Sequence, residues 1–278
     1  MDERVAKMLA NETRTLVEEA CRTRARSVYL GNRTALCRVL GLYHCFVSTE
    51  DEGLAPHLML DGYWEMWVTQ AIARFVKPGM RCIDVGANAG YFTLLCADLV
   101  EAGGHVQAWE PQPACADLIR RSTSANGFEN RVSIINAAAG RVAGTATLNV
   151  PSGKPMNASV LGERMRSTKG VSYEVALGRL DDRNVLPVNF VKIDSEGCEP
   201  EVWDGMQALL DRSGRDDQPF ACCMEFSPHR YPDPAAFLKQ IRDAGFEVRL
   251  VGFDANVSET TDALLLAEER MIWITRKR

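Results

Sequence analysis

The spacing of apolar residues changes along the chain, from a helical period at the N-terminus to alternating strands and helices after Gly79. Over the first two dozen residues, apolar side chains recur three or four positions apart between charged ones, which predicts an amphipathic helix. We favour packing of its apolar face on the main domain over the two alternatives, a homodimer contact and a substrate lid. Residues from Ala35 to Ser48 predict one or two short strands, and Trp64 to Val76 predicts a helix.

After Gly79 the pattern is that of βαβ units, which form a parallel sheet. The predicted strands cover residues 80–86, 105–111, 132–138, 189–194, 220–226, 246–253 and 269–277, the last two able to form a long hairpin, and the predicted helices cover 91–100, 113–126, 199–210 and 233–244. Residues 146–150 predict a strand or hairpin arm outside this alternation. Residues 151–170 predict a long irregular segment, either a mobile functional loop or partly disordered. We therefore expect an open twisted α/β sheet over residues 61–278, preceded by a helical and strand extension over residues 1–60.

Composition narrows the function classes. The 278 residues are 46% hydrophobic, enough for a full globular core, and the net charge of -5 argues against a nucleic-acid partner, which needs a concentrated basic surface. The charged N-terminus does not resemble a signal peptide, and no later segment has about 18 uncharged apolar residues, so we expect no membrane span. Nine cysteines without a CxxC pair predict reduced, structural thiols and a cytoplasmic protein.

The strongest motif is the segment from Asp84 to Gly90, DVGANAG, which turns the chain from a strand into a helix. Glycines at such a turn let a ligand approach the backbone. Twenty residues after Gly90, Glu110 ends the second strand, where a carboxylate can accept hydrogen bonds from both hydroxyls of an adenosine ribose. The two features together predict a nucleoside-containing cofactor.

The charge of Asp84 favours S-adenosylmethionine over a dinucleotide. NAD places a pyrophosphate over this turn, which a carboxylate would repel, whereas S-adenosylmethionine brings an ammonium and a sulfonium cation there. The turn also reads GANAG and not GxGxxG. The alternative that Asp84 only caps the following helix leaves Glu110 unexplained. An NAD-dependent oxidoreductase remains the remote alternative.

Four segments resemble the FkbM-type methyltransferases: CIDVGANAGYFTLL, AWEPQPACADLIRRSTSANG, the LDD at 180–182, and VKIDSEGCEPEVWDG. The resemblance covers roughly residues 62–226, with Ser195 and Cys198 in place of the more usual apolar residues. It implies a Rossmann-like class I methyltransferase fold with a seven-stranded, mostly parallel sheet, bound S-adenosylmethionine, and O-methylation of a sugar or another small natural-product scaffold. The predicted cofactor contacts are Asp84, Gly86, Asn88, Gly90, Tyr91, Glu110, Pro111 and Asp194, with Glu65 as a further contact on the cofactor side.

The fourth and fifth strands end in DSEGCE and EFSPH, which collects Asp194, Glu196, Glu225 and His229 at the ligand crevice. Asp194 could be a general base, or His229 could be the base with carboxylates orienting it. Alternatively, Asp194 and Glu225 could hold Mg²⁺. We place the base ahead of a metal because no compact ligand motif is present. A solvated loop position for His229 and helix capping for Glu196 are the plain alternatives.

The acceptor itself is not identified by these motifs. A hydroxyl must lose its proton as it attacks, whereas a neutral amine mainly needs alignment, so N-methylation of a small molecule is the close alternative to O-methylation. A module that binds the cofactor without turnover is the non-enzymatic alternative. Tyr63, Trp64 and Trp67 precede the sheet and could line the acceptor pocket, line the adenine side, or belong to the core.

Overall fold

The computed structural model describes residues 8–153, 157–160, 170–184, 186–214 and 218–277, so most of the predicted irregular segment 151–170 lies outside the described residues. The helices are α1 Arg14–Arg24, α2 Leu54–Leu60, α3 Met66–Phe75, α4 Tyr91–Leu99, α5 Pro113–Ala125, α6 Leu180–Arg183, α7 Glu199–Asp204, α8 Gln207–Arg212, α9 Pro234–Asp243 and α10 Asp262–Ala267. The strands are β1 Arg26–Gly31, β2 Thr34–Val39, β3 Tyr43–Ser48, β4 Arg81–Val85, β5 His105–Trp109, β6 Val132–Ile135, β7 Ala138–Ala139, β8 Gly144–Pro151, β9 Gly170–Gly178, β10 Phe190–Ile193, β11 Ala221–Phe226, β12 Phe246–Val251, β13 Val257–Ser258 and β14 Arg270–Arg276.

The central sheet has the order β13-β12-β14-β11-β10-β4-β5-β6. Strands β6, β5, β4, β10 and β11 pair in parallel, and β14 is antiparallel to both of its neighbours, β11 and β12. This is the predicted α/β class I methyltransferase architecture, with the predicted hairpin of the last two long strands at one edge. The two-residue strand β13 pairs antiparallel with β12 and makes an eighth strand, one more than predicted.

The register of the central strands sets the position of the ligand crevice. In β10, Ile193 lies opposite Val85 of β4 on one side and Met224 of β11 on the other. Strands β4 and β10 therefore end at the same level, and β11 continues for two more residues. Gly86 and Asp194 follow the ends of their strands and Glu225 is the next residue of β11, so all three lie along one edge of the sheet, where open α/β sheets bind ligands.

Two predicted elements divide in the structure. The predicted strand 132–138 splits into β6 in the central sheet and β7, which pairs with β9 in a separate sheet of β7, β9 and β8. The predicted helix 199–210 breaks into α7 and α8 at Gly205, where an added Cβ would lie 2.0 Å from the carbonyl oxygen of Gly140. This close approach of two backbones accounts for the break. Strand β8 lies outside the central sheet, as predicted for residues 146–150.

The N-terminal region packs on the central unit. Gln70 of α3 donates hydrogen bonds to the carbonyls of Leu9 (3.1 Å) and Glu12 (3.0 Å), and Val17 and Cys21 of α1 are buried. The favoured packing of this helix is therefore the one observed for the described residues. Strands β1 to β3 form an antiparallel meander that begins earlier than predicted, because five of the six residues of β1 are exposed and give no alternation. A domain boundary near residue 60 stays a prediction.

All nine cysteines lie within the described ranges, where each is buried and none is joined in a disulfide. Across the described helices, none has the length and apolar character needed to cross a membrane.

Candidate active site

One cavity lies at the carboxyl ends of β4, β5 and β10, where the sheet register brings the predicted motifs together. Its lining includes these predicted residues: Glu65, Gly86, Asn88, Tyr91, Glu110, Pro111, Asp194, Glu196 and Glu225. Three other predicted residues, Asp84, Gly90 and His229, are not among those that line it. Most of the predicted site therefore surrounds one cavity.

Glu110 is held rigidly at this cavity. Its Oε2 accepts a hydrogen bond from the backbone N–H of Asn88 (2.8 Å), and its Oε1 accepts one from the backbone N–H of Gln112 (2.8 Å). Burial raises the pKa of Glu110 to about 7, although these two hydrogen bonds act to lower it. Each carboxylate oxygen has a second lone pair, so the arrangement can accept two more hydrogen bonds, as the two hydroxyls of a ribose would donate.

An apolar wall adjoins this carboxylate. Pro111, Ala137 and Ala138 line the cavity beside Glu110. The side-chain amide of Asn136 donates to the carbonyls of Glu110 (2.8 Å) and Pro111 (3.1 Å), which fixes the turn that carries them. Apolar residues in the same cavity as two oxygens that can accept hydrogen bonds from hydroxyls suit the adenine and ribose of a nucleoside.

The turn after β4 is shaped by backbone geometry more than by ligand approach. Gly86 has φ +75°, and a Cβ there would lie 1.8 Å from the carbonyl oxygen of Asp194. The added atom would thus collide with the end of β10, which gives this glycine a structural reason beside the predicted approach of a ligand, and Gly86 does line the cavity. Gly90 has φ +89° and packs on Ile119, 3.2 Å from an added Cβ. Asn88 adopts φ 50°, which turns its N–H toward Glu110.

Asp84 lies beneath the cavity and outside its lining. The residue is 2% exposed, and its Oδ2 accepts a hydrogen bond from the Thr93 hydroxyl of α4 (2.6 Å). Asp84 is paired in register with Lys192 on the adjacent strand, so both side chains leave the same face of the sheet. Its carboxylate therefore contributes charge beneath the cavity and anchors α4, in place of the direct cofactor contact that the motif predicted.

Lys192 is a cation buried among carboxylates. Its side chain is 3% exposed, its Nζ lies 3.0 Å from Oδ2 of Asp194, and it lies over the ring of Phe92 at 4.7 Å. The negative charges of Asp194, Asp84 and Glu65 raise its pKa against the opposing effect of burial. Asp194, which lines the cavity, is therefore oriented by a fixed ammonium group.

Glu65 enters the cavity from the residue that precedes α3. Its backbone is left-handed, with φ 37°, which is uncommon for a residue with a Cβ. Its Oε2 is buried and has no hydrogen-bond partner within the described ranges. Burial and the negative charge of Asp194 raise the pKa of Glu65 to about 7. A strained backbone that carries an unsatisfied carboxyl oxygen is typical of a functional position.

Glu196 and Glu225 share one counterion. The guanidinium of Arg230 donates a hydrogen bond to Glu196, and its Nη1 lies 3.4 Å from Oε2 of Glu225. Burial and the charge of Asp194 raise the pKa of Glu196 to about 7, and burial with the charges of Asp194 and Glu196 raises the pKa of Glu225 to about 10. We call Glu65, Asp194, Glu196 and Glu225 the carboxylate cluster. Its proton-binding groups face a common space.

The loop between β10 and α7 is fixed by Glu199. Its Oε1 accepts hydrogen bonds from the N–H groups of Ser195 (2.8 Å) and Gly197 (3.2 Å) and from the Ser195 hydroxyl (3.0 Å). Glu196 is left pointing elsewhere, with φ 54° and its carboxylate on Arg230. The loop carboxylate that binds backbone N–H groups is thus Glu199, and not Glu196 as the capping alternative proposed.

Of two further predicted residues, His229 lies apart from the cavity and Tyr91 lines it. His229 sits on the short 3₁₀ turn Pro228–Arg230 with its side chain 64% exposed, and its Nε2 is 4.0 Å from Oε2 of Glu269. The structure does not bring it to the cavity. The Tyr91 ring lines the cavity, but its hydroxyl is 3.0 Å from that of Thr69, which ties α4 to α3.

Lys192 and Arg230 were missed by sequence reasoning. Lys192 is the one charged residue within the apolar segment FVKI, which is itself a signal, because a lysine inside a buried strand needs a partner. Arg230 follows His229 directly, and its contacts become apparent only once β10 and β11 are adjacent.

Within the part of the chain that the structure describes, no three His, Cys, Asp or Glu side chains are arranged to share a metal ion. The expectation of a base ahead of a cation on Asp194 and Glu225 stays a prediction.

Comparison with known proteins identifies the family. The model of the methyltransferase FkbM domain matches residues 84–248, more than half of the chain. The chain belongs to this family. Residues 84–248 therefore form a methyltransferase FkbM domain, and the oxidoreductase alternative is set aside.

More distant relatives cover shorter segments. A protein-L-isoaspartate O-methyltransferase of Hyperthermus butylicus is 27% identical over 146 residues, which are 44% of this chain and 61% of the relative. Protein arginine N-methyltransferase 7 of Oryza sativa subsp. japonica is 27% identical over 117 residues, 38% of this chain and 16% of the relative. This chain thus spans less than two thirds of these relatives. The solved structure of methyltransferase FkbM from Methylobacillus flagellatus is 13% identical, with a TM-score of 0.44, over 76% of this chain and 54% of that one.

The residues of this FkbM-family chain fit S-adenosylmethionine. Glu110 presents free acceptor positions beside an apolar wall, and Asp194 and Glu65 place negative charge at the other end of the same cavity. When bound, S-adenosylmethionine supplies an electrophilic methyl group on a sulfonium cation. An acidic cavity with an unsatisfied carboxyl oxygen favours that cation electrostatically.

Proposed function

We propose that this methyltransferase transfers the methyl group to a hydroxyl of a small molecule, a sugar or another natural-product scaffold. The observation that carries the proposal is the carboxylate cluster, in which Glu65 has a buried, unpartnered oxygen and a pKa of about 7. A general base is most effective when its pKa lies near the working pH. A hydroxyl needs such a base because it must lose its proton as it attacks.

Within the cluster, the groups differ in their readiness to accept a proton. Asp194 is engaged by Lys192 at 3.0 Å, and Glu225 has a pKa of about 10, so it is largely protonated at neutral pH. We therefore assign the proton acceptor to Glu65, whose pKa is raised by burial and by the charge of Asp194. Glu110, Pro111 and the backbone of Asn88 hold the adenosine part of the cofactor.

The setting of the reaction belongs to the same proposal. Nine buried cysteines without a disulfide are compatible with a reducing compartment, and we place the enzyme in the cytoplasm, in natural-product biosynthesis. Its negative charge supports a small-molecule acceptor over a nucleic acid.

The test uses acceptors in matched pairs that differ only in a hydroxyl or an amine at one position. Each pair is incubated with the full chain and S-adenosylmethionine carrying a ¹³C methyl group, and products are located by mass spectrometry and NMR. The proposal expects the label on oxygen. Label on nitrogen alone would replace it with N-methylation, and cofactor binding without product from any pair would favour a binding module.

A further inference from the structure

A second cavity adjoins the first on the side of β11, β12 and β14. It is lined by residues 250–253 at the end of β12, by residues 269–271 at the start of β14, and by Trp67 of α3. Glu65 and Glu225 line both cavities. These two side chains therefore form part of the boundary between the cofactor cavity and a separate space, and a molecule in each cavity could reach the same carboxyl groups.

The second cavity has an aromatic side. The rings of Trp67 and Phe253 lie 5.0 Å apart at an interplanar angle of 68°, and Phe253 is 62% exposed. An exposed phenylalanine at the edge of a cavity gains from burial under a ligand, and aromatic rings offer flat apolar surface at little conformational cost. This side suits the apolar face of a ring.

The N-terminal helix fixes this aromatic side. The guanidinium of Arg14 lies over the Trp67 ring at 5.3 Å and donates a hydrogen bond to the carbonyl of Phe253 (3.0 Å). Arg14 is itself held by Glu18. Arg14 thus contacts both aromatic residues from outside the cavity. The N-terminal region therefore helps to hold this side of the cavity in place.

The charged residues of this cavity favour ligands that carry no negative charge. Glu65 and Glu269 line it together with Glu225, which is largely protonated, and the guanidinium of Arg270 donates a hydrogen bond to Glu268. Carboxyl groups accept hydrogen bonds from hydroxyls and repel anions. The lining therefore suits a ring that carries several hydroxyl groups and no negative charge.

We propose that the second cavity is the acceptor site, which binds an uncharged, polyhydroxylated ring against Trp67 and Phe253 and directs one hydroxyl to Glu65. This inference rests on the proposed O-methyl transfer and adds the location and charge of the acceptor. In the reaction, the acceptor oxygen bonds to the methyl carbon, the sulfur–methyl bond breaks with its electron pair going to sulfur, and the hydroxyl proton passes to the Glu65 carboxylate.

The test separates acceptor binding from turnover. The full chain, saturated with S-adenosylhomocysteine, is titrated with neutral methyl hexopyranosides and with the matching uronic acids, and binding is followed by saturation-transfer NMR. We compare wild type with Phe253→Ala, which removes an exposed ring, and with Leu60→Ala, which removes an exposed side chain outside both cavities.

We expect the neutral glycosides to bind wild type and Leu60→Ala alike, to bind Phe253→Ala at least tenfold more weakly, and to bind better than the uronic acids. The affinity for S-adenosylhomocysteine should be the same in all three proteins. Equal binding to Phe253→Ala, a preference for the uronic acids, or no glycoside binding to wild type would each overturn the inference.

Failure of the proposed function would look different. If amines are methylated and hydroxyls are not, while Phe253→Ala still loses glycoside binding, O-methylation is rejected. The second cavity is then kept as a site that binds rings. If Phe253→Ala and wild type methylate hydroxyls with the same KM, O-methylation is kept. The proposal that the acceptor binds in the second cavity is then rejected.

Discussion

The two ends of the cofactor cavity are built in different ways. At the end formed by β4 and β5, Glu110 is held by backbone N–H groups of Asn88 and Gln112, and the adjoining wall is apolar. At the end formed by β10 and β11, carboxyl groups are held by two side-chain cations, Lys192 and Arg230.

This difference separates binding from chemistry. A carboxylate that accepts hydrogen bonds from fixed backbone N–H groups is preorganised, and the charge around it changes little. Glu196 and Glu225 share Arg230 as a counterion, and neighbouring carboxylates add to burial in raising their pKa values. The pKa of Glu65 is likewise raised by burial and by Asp194, whereas burial is the main cause for Glu110. The end formed by β4 and β5, which we call the rigid end, is suited to hold a cofactor. The end formed by β10 and β11 together with Glu65, which we call the responsive end, is suited to exchange a proton.

The junction between the two ends should be the most sensitive point of the fold. Gly86→Ala places a Cβ 1.8 Å from the Asp194 carbonyl, and we expect a loss of about 3 kcal/mol or more in the free energy of unfolding, the upper range for overpacking. Gly127→Ala is the matched control, because Gly127 has a similar φ of +69° and open space around its Cβ position. It should lose only about 1 kcal/mol. Equal losses in urea unfolding would show that the close approach to β10 is unimportant.

The rigid end can be tested through cofactor affinity. Glu110→Gln replaces one oxygen with an NH₂ group that faces a backbone donor, so we expect a loss of about 1.5 to 3 kcal/mol in binding of S-adenosylhomocysteine. Isothermal titration calorimetry measures this loss. The exposed substitution Glu129→Gln should leave the affinity unchanged, and an unaffected Glu110→Gln would remove Glu110 from the cofactor site.

The responsive end can be tested through the pH dependence of stability. The pKa of Glu225 is raised to about 10 from an ordinary value of 4.5, so the folded state binds a proton that the unfolded state has lost between those values. This contribution favours folding at low pH and is lost as pH rises, with a slope of at most about 1.4 kcal/mol per pH unit. Glu225→Gln cannot titrate, so its stability in urea should fall less than that of wild type between pH 6 and pH 8. A parallel fall in both proteins would contradict the raised pKa.

The smallest effect is expected at His229, just beyond the responsive end. Its side chain is mainly exposed and lies outside the cavity lining, so His229→Ala should change kcat by less than about threefold, against the factor of about 10² or more expected on loss of a general base. Steady-state kinetics on the identified acceptor measures this. A hundredfold fall would restore His229 as the base.

Sequence reasoning located the rigid end because its parts lie close together along the chain. The DVGANAG turn and Glu110 belong to one βαβ unit, whose spacing is set by strand and helix lengths. The same local pattern predicted the central strands and the order of the helices. Asp84 was misplaced because the motif gives the residue type and not its side-chain direction, which depends on pairing with Lys192 in β10.

The responsive end was predictable only in part. The strand ends predict that Asp194, Glu196 and Glu225 lie close together. The shared counterion is not predicted, because Arg230 contacts Glu196, 34 residues away in sequence, as well as Glu225, 5 residues away. The left-handed backbone of Glu65 and the break at Gly205 also depend on tertiary packing. Local pattern carries no information about either.

In the proposed reaction, the Glu65 carboxylate at the responsive end takes the proton of a hydroxyl acceptor. The most direct test of this step is the single-turnover rate of methyl transfer at saturating cofactor, measured from pH 6 to pH 9 in wild type and Glu65→Gln on the acceptor found in the paired assay. We expect a wild-type rate that rises with pH to a plateau above about pH 7, and a Glu65→Gln rate that is lower by about 10² to 10⁴ and lacks this rise. A flat wild-type profile, with Glu65→Gln within tenfold of it, would contradict the claim and leave alignment alone as the source of catalysis.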